Sequence, residues 1–101
     1  MLKIIIVDDH AIVRAGIRQL LQEATMSVEL GEATNGIEAM NKVRNDNWDL
    51  VLLDIKLPDR SGVEILKLIK SEKPKLPVLM LSSYPESQYA VRLIHGGAAG
   101  Y

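Results

Sequence analysis

The stretch Leu2-Lys3-Ile4-Ile5-Ile6-Val7-Asp8-Asp9 decides the fold. An apolar, β-branched run of strand length leads straight into acid. Leu50-Val51-Leu52-Leu53-Asp54 repeats the arrangement in the middle of the chain. Both runs read as buried strands, and the helical patterns that follow them predict a parallel sheet. In an open parallel sheet, function gathers beyond the carboxyl ends of the strands. If the two strands are neighbours, three carboxylates meet there. Such a cluster repels itself, so it calls for a bound cation or a raised pKa. Its oxygen-only donor set suits a hard divalent ion, Mg2+.

Working outward, Ala11–Gln22 carries Val13, Ile17, Leu20 and Leu21 as a helical stripe, with Arg14, Arg18 and Gln19 largely on the solvated side. Ser27–Ala33 reads as a weaker strand. Asn35-Gly36-Ile37-Glu38 is a capping signature, with Asn35 as N-cap, that opens a helix carrying Ile37, Met40 and Val43. Asp49–Leu53 is the third strand, and Pro58-Asp59-Arg60 a turn. Ser61-Gly62-Val63-Glu64 caps a third helix that buries Ile65, Leu66, Leu68 and Ile69. Pro77–Leu81 is the fourth strand. Ser83 opens a fourth helix that Gly96-Gly97 ends, and Ala98–Tyr101 begins a fifth strand. Alternating strands and helices predict a doubly wound α/β fold. Right-handed crossovers and a strand order of 2-1-3-4-5 bring Asp8, Asp9 and Asp54 together at the switch point, with Ser82 on the same rim.

Bulk properties narrow the function. The length of 101 residues predicts one domain, and 48% apolar content is enough for a core. A net charge of -1 argues against direct electrostatic binding of nucleic acid. The absence of cysteine removes disulfides, zinc-thiolate sites and cysteine nucleophiles. No signal peptide is evident, and no apolar run approaches the roughly 18–20 residues of a membrane span. A cytoplasmic location with no membrane partner is expected.

The ordered set of Asp8-Asp9, Asp54, Lys56-Leu57-Pro58, Ser61-Gly62, Ser82-Ser83 and Ala98-Ala99-Gly100-Tyr101 resembles the receiver domain of two-component response regulators over the whole chain. Asp8-Asp9-His10 followed by Arg14, Gly16 and Ile17 looks more like the receivers attached to LuxR-type helix-turn-helix domains. The resemblance implies a phosphorylation-dependent switch that accepts a phosphoryl group from a histidine kinase on Asp54. It implies Mg2+ held by Asp8, Asp9, Asp54 and the backbone carbonyl of Lys56. Ser82 would hydrogen-bond the phosphoryl group, and Tyr101 would be the switch aromatic. Family members carry a lysine after the strand-five aromatic and then a fifth helix. Residues 1–101 are therefore expected to be a receiver domain lacking the end of strand five and helix five. Contact with DNA, and so transcription control, would run through a C-terminal domain absent from this chain. A homodimer is compatible with the resemblance.

On this reading the chain is no enzyme beyond self-phosphotransfer and slow autodephosphorylation. The alternatives are a phosphorylation-independent interaction module and a metal-dependent phosphohydrolase. The second lacks an acid two residues after Asp54, where Lys56 stands. His10 reads as an ordinary polar residue at a helix start rather than a ligand. Trp48 and Tyr84 read as packing or partner contacts, and Met26, Met40 and Met80 as core or near-core. Lys67, Lys70, Lys73 and Lys75 read as a solvated face.

Overall fold

The structure is a computed structural model that describes residues 1–24 and 27–81. Its elements are β1 (Leu2–Val7), α1 (Ala11–Ala24), β2 (Val28–Ala33), α2 (Gly36–Asn45), β3 (Leu50–Asp54), α3 (Gly62–Glu72) and β4 (Val78–Leu81). The four strands form one parallel sheet in the order β2-β1-β3-β4. This agrees with the expected doubly wound order. The expected fourth helix and fifth strand, with Ser82, Ser83, Tyr84 and Tyr101, lie outside the described residues, as does Met26.

Strand alternation sorts the apolar residues to two faces. Ile5, Val7, Val51, Leu53, Val78 and Met80 pack against Met40 and Val43 of α2 and Ile65, Leu66 and Ile69 of α3. Ile4, Ile6 and Leu52 point the other way and are covered by Ile17 and Leu21 of α1. Asn35 and Ser61 cap their helices, accepting from the backbone N–H groups of Glu38 and Val63. Capping at both points is worth about 1 kcal/mol per helix.

Several side chains depart from the pattern read along the chain. Leu20 is 67% exposed and Val13 41%, because α1 meets the sheet along a narrow line through Ile17 and Leu21. Ile37 in the first turn of α2 is 60% exposed, and Ala39 takes its place in the core. Arg14 is no solvated residue. Its side chain keeps only 16% of its surface, with Nε donating to Glu32 Oε1 at 3.0 Å and a terminal nitrogen to the Asp8 carbonyl at 2.7 Å. The lysine face is also partly engaged: Lys73 Nζ donates to the carbonyl oxygens of Val43 and Asp46, closing the end of α2.

Candidate functional site

The register of the sheet builds the site. Val7 of β1 lies opposite Leu53 of β3, so the next residue on each strand, Asp8 and Asp54, are neighbours at the carboxyl ends. Asp8 is 3% exposed and is the only buried polar or charged residue among the described residues. Its backbone N–H donates to the Ala33 carbonyl of β2, and its carbonyl accepts from Arg14. The residue is thereby held from both sides. Its Oδ1 accepts from the His10 backbone N–H at 2.8 Å.

Asp54 is half-buried. Burial and then the Asp8 carboxylate push its pKa up from 3.8 to about 6, against the opposing backbone N–H of Lys56, which donates to Asp54 Oδ1 at 3.4 Å. At neutral pH the carboxylate is still mostly ionised, so it remains a nucleophile, with its charge held at a cost.

Asp9 and His10 complete the cluster. One donor atom each from Asp8, Asp9, His10 and Asp54 lies within 4.8 Å of the others. His10 Nδ1 is 2.9 Å from Asp9 Oδ1 and 3.1 Å from Asp8 Oδ1. The three expected carboxylates are thus brought together. His10, read from the sequence as an ordinary polar residue, belongs with them. Its one signal was adjacency to the two acids, which says nothing about where its ring points.

The loop after β3 is tightly constrained. Lys56 bridges to Ser61, and Gly62 N–H donates to the Ile55 carbonyl at 2.6 Å. A Cβ on Gly62 would overlap the Asp54 carbonyl oxygen and lie 2.8 Å from Ile55 Cα. Only glycine lets α3 start this close to the acid. Asp59, read as part of a turn, reaches across to α2: its two oxygens accept from the Gly36 and Ile37 N–H groups at 2.8 and 3.0 Å. Those bonds, the first to Gly36, hold its carboxyl below the usual range. The expected contributions of Ser82 and Tyr101 lie outside the described residues.

Two carboxylates this close raise each other's cost of ionisation, and the Arg14 guanidinium reaches only the backbone carbonyl of Asp8. The donor set of buried and half-buried oxygens fits a hard divalent cation.

Comparison with known proteins agrees with this geometry. The family model described as the response regulator receiver domain matches residues 4–101. The transcriptional regulatory protein LnrK of Bacillus subtilis is 43% identical over 101 residues, covering 100% of this chain and 46% of LnrK. Among solved structures, a two-component response regulator of the LuxR family from Aurantimonas superposes with a TM-score of 0.91 at 31% identity, covering 98% of this chain and 71% of that one. Response regulator protein TrrA of Thermotoga maritima, in complex with Mg(2+)-BeF, gives 0.87 at 35% identity over 98% of this chain and 83% of that one. The chain spans about half the length of the curated relatives it matches. With the strand order, the acid cluster and these matches in agreement, the chain belongs to the response regulator receiver domains.

Proposed function

We infer that residues 1–101 act as one receiver unit and that Asp54 is its phosphoacceptor. The observation that carries this is the pairing of a half-exposed Asp54 with the buried Asp8 at the carboxyl ends of neighbouring strands. One Asp54 oxygen attacks phosphorus of a phosphohistidine or an acyl phosphate. A new P–O bond forms, the donor's bond to phosphorus breaks, and its electron pair leaves with the imidazole or the carboxylate. Asp8 and Asp9, with Asp54 and the Lys56 carbonyl, would hold Mg2+, which supplies charge neutralisation for the phosphoryl oxygens. The likeness to TrrA, solved with Mg(2+)-BeF, supports that choice of ion.

Asp8 takes no part in bond making. Its own hydrogen bonds hold it in place beside Asp54, whose pKa it raises. Gly62 and the Lys56–Ser61 bridge fix the loop that presents the Lys56 carbonyl. Ser82 is assigned to hydrogen-bonding of the phosphoryl group, and Tyr101 to the switch, by family likeness. By family likeness the donor is assigned as a histidine kinase and the location as the cytoplasm. The output is transcription control through a DNA-binding domain outside this chain, in keeping with the transcriptional regulators among its relatives. No helix among the described residues is long and apolar enough to cross a membrane.

Intact mass measurement after treatment with Mg2+ and acetyl phosphate tests this reading. A phosphoryl increment on the unaltered chain that vanishes in Asp54→Asn is the expected result. An increment that survives in the variant would place the acceptor elsewhere.

A further inference from the structure

His10 is the one non-carboxylate donor in the cluster, and its ring is already where a ligand would stand. Two donors on adjacent corners of an octahedron with bonds of about 2.1 Å are about 3.0 Å apart, and on opposite corners about 4.2 Å. His10 Nδ1 is 2.9 Å from Asp9 Oδ1 and 3.1 Å from Asp8 Oδ1, both adjacent-corner separations. The full four-atom set lies within 4.8 Å, close to the span of opposite corners.

Two features hold the backbone that carries the ring. His10 is the residue before α1, and its backbone N–H is tied to Asp8 Oδ1 at 2.8 Å. Its carbonyl accepts the first bond of the helix, from Arg14 N–H at 3.1 Å. The backbone is therefore anchored on both sides while the side chain stays 67% exposed. In the ion-free site Nδ1–H donates to the two carboxylates; because the ring has a second nitrogen, a cation can take the place of that hydrogen while Nε2 carries the proton.

We propose that His10 Nδ1 is a further ligand of this cation site, and that it extends the site's reach from Mg2+ to the nitrogen-preferring divalent ions Co2+ and Ni2+. The proposal rests on the acid-cluster reading above and deepens it. Mg2+ binds oxygen and gains little from imidazole, whereas imidazole suits the later first-row ions. A site of three carboxylates alone follows the general affinity order of those ions. What His10 adds is a preference that depends on one side chain.

Calorimetric titration with MgCl2 and NiCl2 separates the cases, using the chain with His95→Ala so that a single imidazole remains. His10→Ala and His10→Gln are each expected to lower Ni2+ affinity about 10-fold or more, with Mg2+ affinity changed less than about 2-fold. In the Co2+-loaded protein, a hyperfine-shifted imidazole resonance is expected that is absent from His10→Ala. If His10 only hydrogen-bonds the carboxylates, both variants shift Mg2+ and Ni2+ affinity by the same factor and no shifted resonance appears. That result, with Mg2+ binding still lost in Asp54→Asn, overturns the role of His10 and leaves the acid-cluster reading standing. Failure of the unaltered chain to take up either ion overturns both.

Discussion

A buried carboxylate beside a half-buried one costs free energy that water cannot fully screen. Asp54 shows that cost as a pKa pushed up to about 6 by burial and by Asp8. A raised acid pKa means that the folded chain holds its proton where the unfolded chain, near 3.8, has lost it. The favourable contribution is complete below about 3.8 and disappears as pH rises through about 6. In cation-free buffer Asp54→Asn is therefore expected to match the unaltered chain near pH 4. It should become more stable above pH 6, by about 1 kcal/mol once solvent screening of the half-exposed group is allowed for. Urea denaturation of the two proteins across that range checks it, and equal midpoints at pH 7.5 would contradict the repulsion argument. Asp59 acts in the opposite sense. Its carboxylate closes the start of α2 from another loop, so Asp59→Ala should lower the urea midpoint and Asp59→Asn should restore part of it.

At the scale of elements, α1 is held to the sheet by a small apolar contact together with charge. Only Ile17 and Leu21 reach the small apolar cluster, and no residue of the helix is fully buried. Arg14 and Arg18 both bind Glu32 of β2, and Arg14 also holds the Asp8 carbonyl. Burial raises the Glu32 pKa, but the hydrogen bonds from Arg14 and Arg18 outweigh it and hold the carboxyl below its usual range. Arg14→Ala is expected to cost about 2 kcal/mol, the scale of a charged hydrogen bond whose partner is left behind. A double-mutant cycle with Glu32→Gln should show coupling, and additive losses would mean that the two side chains act independently. The β3–α3 connection is held by the Lys56–Ser61 bridge and the Gly62 to Ile55 hydrogen bond, and it leaves no space beside Gly62. Gly62→Ala places a methyl against the Asp54 backbone and is expected to destabilise by about 3 kcal/mol and to weaken cation uptake, measured by denaturation and by calorimetry.

At the scale of the whole molecule, the site and the fold share one free energy. A cation that binds only the folded chain stabilises it by about 2.7 kcal/mol at 100 times its dissociation constant. Mg2+ should thus raise the thermal midpoint of the unaltered chain. Asp54→Asn, the more stable protein without cation at neutral pH, should gain much less. That inversion of order on adding Mg2+ is the signature of a site strained in the absence of its ion, and identical gains in both proteins would exclude it.

The alternation of Ile4, Ile5, Ile6 and Val7, the acids that end β1 and β3, and the caps at Asn35 and Ser61 were all legible in the chain. Strand period, helix caps and buried runs are local properties, and local chemistry decides them. The parallel order followed because right-handed crossovers leave few alternatives. What only the tertiary structure decided was which polar side chains face each other. Arg14 leaves solvent because Glu32 stands on the neighbouring strand, Asp59 reaches the start of α2, and the His10 ring turns onto Asp8 and Asp9. Ile37 and Leu20 stay exposed although both belong to apolar helical stripes. Those outcomes depend on distances between segments far apart in sequence, and no pattern along the chain carries such distances.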